Sequence, residues 1–161
     1  MKKLLFSLTF FLTANAIFAQ KALPNVELKT LEGKTVNVKT LAKKNKATVL
    51  SFWATWCAPC KKEMDAIKPN YAAWQKKYGV EIIAITIDDA QGLPKVKPMI
   101  AQKGWKYRIL SDMNRSLMQS LGFQGVPYTI LLDKNGKIVY EHNGYTSGDE
   151  IELEKKIAEL N

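Results

Sequence analysis

Cysteine is scarce in this sequence: Cys57 and Cys60 are the only two in 161 residues. A chain so poor in cysteine is not a disulfide scaffold, and its stability has to come from a hydrophobic core. Histidine is scarcer still, with His142 alone. A zinc site built on the cysteine pair would need two further ligands, and His142 reads as an ordinary surface or hydrogen-bonded histidine. Position 61 is lysine, so the histidine that directly follows the second cysteine in covalent haem attachment is missing. No metal or cofactor is expected. Repeats, low-complexity tracts and Pro/Gly/Ser linkers are absent after residue 20, so nothing divides the chain beyond that point.

A membrane-spanning run is missing too. The N-terminal stretch Leu4–Ala19 contains Ser7, Thr9, Thr13 and Asn15 and falls short of the roughly 20 apolar residues of a spanning helix. With Lys2-Lys3 ahead of it and small residues behind, it reads as a secretory signal peptide. Cleavage fits after Ala16, where Ala14-Asn15-Ala16 forms an A-x-A site, or after Ala19, which leaves Gln20 first. The second site divides the chain into a signal peptide, 1–19, and one domain, 20–161. The domain is then extracytoplasmic, in the periplasm or secreted, and membrane-anchored if the segment stays uncleaved. The net charge is +9, but the lysines are scattered in pairs such as Lys61-Lys62 and Lys76-Lys77. That pattern is a solvated face, and no nucleic-acid partner is expected.

The rest alternates strands and helices. "VELKTLEGKTVNVKTL" alternates apolar and polar residues around Glu32-Gly33 and predicts a β-hairpin over 25–39. "ATVLSFWA" (47–54) and "VEIIAITID" (80–88) are the apolar, β-branched runs of strands buried on both faces. From Cys57 to Tyr78, apolar residues recur at three and four, which predicts one amphipathic helix with a kink at 65–69 from Pro69. A helix over 94–103, a strand over 106–110 and a helix over 115–122 follow. "PYTILLDKNGKIVYEHNG" predicts a hairpin joined by a type I′ turn at Asn135-Gly136. Ser147 and Glu150 read as a capping box for the last helix. The order implies an α/β fold: a central mixed sheet flanked by helices, with parallel inner strands and an N-terminal β-hairpin.

The chemistry gathers in "WATWCAPC" (53–60). Cys57 falls where a buried strand gives way to a helix, so its sulfur meets the free N–H groups and positive end of the helix dipole. Such an environment lowers a thiol pKa from about 8.5 to about 3.5–7.5. Pro59 suits a first helical turn, which does not need its N–H. Cys60 lies one turn on, close enough to close a disulfide. As a staple, that four-residue ring would supply only about 2 kcal/mol. A reactive dithiol–disulfide pair is the reading that remains.

"SFWATWCAPCKKE" resembles the active-site segment of thioredoxin-like proteins, and more narrowly the exported TlpA/ResA-type thiol–disulfide oxidoreductases. "LGFQGVPYTILLDKNGKIV" resembles the same family's Gly-Val-Pro turn. The resemblance runs over about residues 25–160 and implies a thioredoxin-like fold of the redoxin type. It implies that Cys57 is an exposed nucleophile, Cys60 a buried resolving thiol and Pro127 a cis-proline beside the pair. The Val126 backbone would pair with an extended substrate segment, Pro59 would help shape the site, and Trp56 would offer an apolar docking face. The buried aspartate that cytosolic thioredoxins carry six residues before the first cysteine is replaced by Ser51. Glu63, three after Cys60, matches a glutamate of the TlpA/ResA type and is the candidate acceptor of the Cys60 proton. The plainer alternative is a solvated acid near a helix start.

The resemblance further implies substrates among exported protein thiols and disulfides, apocytochrome c included, and a membrane thiol-relay protein as electron donor. A monomer is expected. Three alternatives stay open. A disulfide-forming oxidase of the same fold would favour histidine between the cysteines, and none stands there. A peroxiredoxin-like peroxidase would carry a Pro and Thr ahead of a single reactive cysteine, and only Thr55 is present. A non-catalytic binding module would have no use for two thiols.

Overall fold

The computed structural model describes residues 22–42 and 45–161. The signal-peptide reading, its cleavage point and Lys43-Lys44 lie outside the described residues. No described helix is long and apolar enough to cross a membrane.

Strand β3 (Ala47–Trp53) is buried at every position and β4 (Val80–Thr86) at all but Glu81. Their near-continuous apolar composition is what coverage on both faces demands. They pair in parallel, Ser51 opposite Ala84, and β5 (Arg108–Ser111) extends the parallel set from β4. On the other side β6 (Tyr128–Asp133) runs antiparallel to β3 and β7 (Ile138–Asn143) antiparallel to β6. β1 (Glu27–Thr30) pairs antiparallel with β2 (Thr35–Asn37) and with β5. The sheet order is β2-β1-β5-β4-β3-β6-β7. Ahead of β1, Ala22 makes an isolated antiparallel bridge with Lys137.

The two faces of β3 separate the layers, because successive side chains point opposite ways. Ser51 and Trp53 face α1 (Ala58–Ile67) and Trp105, whose ring meets Trp53 edge-on at 5.3 Å. Phe52 points the other way, 4.7 Å from Phe123, which follows α4 (Ser116–Leu121). Helix α5 (Asp149–Ala158) packs on α1 and on α2 (Tyr71–Tyr78), and α3 (Val96–Lys103) links β4 to β5.

Three local expectations are corrected. The stretch after Cys57 is two helices rather than one kinked helix: α1 ends at Ile67 and α2 starts at Tyr71. Pro69 has no N–H for the next helical bond and its ring collides with the carbonyl four residues back. The chain turns instead, with the Asn70 N–H on the Ile67 carbonyl at 3.0 Å. The β6–β7 turn is not type I′, since Asn135 keeps a negative φ and only Gly136 is left-handed (φ 78°). The Gly136 N–H bonds the Asp133 carbonyl at 3.0 Å and the Asp133 N–H bonds the Lys137 carbonyl at 3.0 Å. This is a three-residue loop, a type I turn closed by a left-handed glycine, and the Asp133 side chain favours it by accepting from the Asn135 and Lys137 N–H groups. Finally, Ser147 does not cap α5. Gly148 holds the cap position (φ 108°), while Asp149 accepts from the Thr146 N–H and Glu150 from the Gly148 N–H.

Candidate active site

β3 delivers the chain to the start of α1, and residues 54–56 turn it. The Cys57 N–H bonds the Ala54 carbonyl at 3.1 Å, and Cys57 becomes the N-cap of α1. Its Sγ accepts the Cys60 N–H at 3.2 Å, so the sulfur occupies the place a serine or aspartate oxygen takes in an ordinary cap. Pro59 lies in the first turn, where no N–H is needed. Cys57 and Cys60 form a disulfide with Cα atoms 5.4 Å apart.

Cys57 is not the exposed thiol expected. It is 4% exposed, and Cys60 is fully buried. The covering comes from the loop before β6: the Val126–Pro127 bond is cis, and the Val126 carbonyl oxygen lies 3.7 Å from Cys57 Sγ. Trp56, by contrast, is 64% exposed. Next to Val126, Phe123 and Tyr128 stack with ring centroids 4.1 Å apart, so an apolar surface continues from the cysteine pair.

Glu63 sits two turns into α1 and is buried. Three residues from Cys60 on one helix, the two share a side. Its carboxyl accepts the Thr129 hydroxyl at 2.6 Å and lies 3.5 Å from the Ser51 hydroxyl, at the edge of bonding range. Burial pushes its pKa up from 4.5 to about 7, against the lowering effects of the Thr129 bond, His142 and the Ser51 contact. A solvated acid near a helix start is therefore not what Glu63 is. Ser51, at the position of the missing acid, faces the Glu63 carboxyl.

Two residues escaped the sequence reading. Asp88, the last residue of the run 80–88, is 1% exposed. It accepts the Thr55 N–H at 2.9 Å, the Thr55 hydroxyl at 2.7 Å and the Thr86 hydroxyl. It thereby ties the turn ahead of Cys57 to the end of β4, and Lys61 adds a bond to the Thr55 carbonyl at 3.0 Å. A Cβ at Gly92 would come within 2.6 Å of Asp88 Oδ1, so the following loop closes tightly over it. The available signal was an acid inside the apolar run 80–88. His142 is the second: its Nε2 lies 3.0 Å from Asp149 Oδ2, and both line a narrow cleft with Glu63 and Thr129. A cleft of about 620 Å³ lined by Tyr71, Gln75 and Arg108 contains none of these groups.

With this geometry in view, likeness to known proteins is specific. The Redoxin family model matches residues 18–157. The thiol-disulfide oxidoreductase ResA of Bacillus thuringiensis (strain Al Hakam) is 34% identical over 143 residues, 89% of this chain and 80% of that protein. The solution structure of an uncharacterized thioredoxin-like protein from Porphyromonas gingivalis superimposes with a TM-score of 0.76 at 46% identity, covering 86% of this chain and 90% of that one. A putative thiol:disulfide interchange protein DsbE from Chlorobium tepidum gives 0.74 at 26% identity, covering 88% and 96%. A dithiol pair capping a helix on a mixed sheet and a family match over most of the chain lead to one conclusion: the chain belongs to the redoxin family and is a ResA-type thiol–disulfide oxidoreductase with a thioredoxin-like fold.

Proposed function

We propose that this oxidoreductase acts outside the cytosol as a disulfide reductase, with Cys57 as nucleophile, Cys60 as resolving thiol and Glu63 as the proton acceptor for Cys60. The buried Glu63 carboxyl, poised near pH 7, carries this reading. A general base works best with a pKa near the working pH.

The Cys57 thiolate, favoured by the Cys60 N–H and the helix dipole, attacks one sulfur of a target disulfide. The target S–S bond breaks, a mixed disulfide forms, and the departing target thiolate takes a proton from water. Cys60 then passes its proton to Glu63 and attacks Cys57 Sγ. The internal disulfide closes and the second target thiolate leaves. Two electrons have moved from the protein dithiol to the target. The Val126 backbone at the cis bond supports an extended target segment, and Trp56, Pro59 and Pro127 frame its docking. The substrates are disulfides of exported proteins, apocytochrome c among them. A membrane thiol-relay protein returns the electrons, and the enzyme works as a monomer behind a cleaved signal peptide.

The direction is tested by the reduction potential of the Cys57–Cys60 pair. A value near thioredoxin's, about −270 mV, supports a reductase, and one near about −120 mV makes the protein an oxidase. Cys60→Ser should accumulate the mixed disulfide with its physiological target.

A further inference from the structure

Glu63 must both receive a proton and give it up, yet it is buried behind the cysteine pair. Resting on the proton-acceptor reading above, we propose that His142, held by Asp149, is the positioning residue that governs the Glu63 proton across the cleft between them.

The geometry begins in the sheet. Thr129 of β6 and His142 of β7 are directly paired, so their side chains share a face. The Thr129 hydroxyl is bonded to Glu63, which leaves His142 one side chain away from the carboxyl. The cleft is bounded by Glu63, Thr129, Tyr140, His142 and Asp149, and its volume of about 10 Å³ is close to the space of a single water. At its outer end the imidazole and the Asp149 carboxylate are each about one-third exposed, so solvent reaches them. Tyr140 stacks parallel to the His142 ring, 6.3 Å away, and fixes its plane.

Charge fits this role. The titratable groups around Glu63 are Tyr107 beside β5, Tyr140 and His142 on β7, and Asp149 and Glu150 on α5. Ser51 and Thr129, from β3 and β6, do not ionise near neutral pH. Lys156 is engaged by Glu152 and Glu159 farther along α5. His142 is thus the one group lining the cleft that can carry positive charge. Its imidazolium favours the Glu63 carboxylate, the form that accepts the Cys60 proton.

The test uses the reduced full-length protein mixed with a chromophoric aromatic disulfide. The first thiol released reports Cys57 attack and the second reports Cys60 resolution, followed from pH 5 to 9. In His142→Gln the midpoint of the second phase should rise by about 0.5–1 pH unit, slowing resolution about 3–10-fold below the midpoint. His142→Lys, which keeps a positive charge, should leave the midpoint at or below the wild-type value. A merely structural histidine would make both variants move together, and that result, or no movement in either, overturns the proposal. Glu63→Gln separates the two readings. If it abolishes the pH limb and adding His142→Gln changes nothing more, His142 acts through Glu63. If it leaves the limb intact, the proton-acceptor reading fails and this inference falls with it. If it abolishes the limb while His142→Gln is silent, only this inference falls.

Discussion

Replacing Glu63 by glutamine should make the oxidised protein more stable at neutral pH and leave it unchanged in acid. A carboxyl whose pKa stands at about 7 in the fold and 4.5 outside it holds its proton in the native state where the unfolded chain has lost it. Between those values the native state binds more protons, so its stability falls as pH rises. The contribution is complete below about pH 4.5 and gone above about pH 7, and the rise corresponds to about 3 kcal/mol. Glutamine is neutral throughout and keeps the Thr129 hydroxyl as a donor to its carbonyl oxygen. Its amide can in turn donate to Ser51. Urea unfolding of both disulfide-closed proteins at pH 4, 5, 6, 7 and 8 isolates the effect, because every other titrating group is common to the two. The difference should be near zero at pH 4 and about 3 kcal/mol in favour of Glu63→Gln at pH 8. A difference that does not change with pH would refute the reasoning, because Glu63 would then titrate as it does in the unfolded chain.

Two further outcomes follow from neighbouring contacts. Thr129→Val removes the hydrogen bond that favours the Glu63 carboxylate. It should shift the pH limb of Cys60 resolution upward, read by the same two-phase thiol release. Asp88→Ala strips the Thr55 N–H and two hydroxyls of their acceptor. It should cost about 2–4 kcal/mol in urea unfolding and change the reactivity of Cys57, measured by the rate of the first phase.

What could be read from the sequence was what depends on close neighbours along the chain. The spacing of Cys57 and Cys60, the proline between them and the buried strand ahead identify a helix-capping dithiol before any fold is known. The order of strands and helices implied the layers, and the resemblance of "WATWCAPC" and the Gly-Val-Pro turn to two ordered family segments then implied the cis bond. Glu63 was legible because it lies on the same helix as the pair. Asp88 was not, because its partner Thr55 is 33 residues away and meets it only where β3 and β4 end together. His142 is the hydrogen-bonded histidine expected, but its place beside Glu63 was not legible for the same reason, since it comes from the β6–β7 register and from a helix that starts at Asp149. Asn135-Gly136 suggested a two-residue turn, but the Asp133 side chain claims two N–H groups and selects a longer one. At Ser147 a good capping side chain lost to a left-handed glycine beside it. Local preference yields where a competing local bond is better placed.

The bridge between Ala22 and Lys137 has a consequence for how the molecule can be held. β3 runs from Ala47 towards the cysteine pair, and β6 returns antiparallel from Tyr128 to Asp133, opposite Ala47. Lys137, just beyond the β6–β7 turn, therefore sits at the pole remote from the disulfide. The seven residues of β3 separate the two poles by roughly 20 Å. The N-terminal edge of the described fold is thus held at the back of the molecule, and a partner that meets the redox face approaches from the opposite pole.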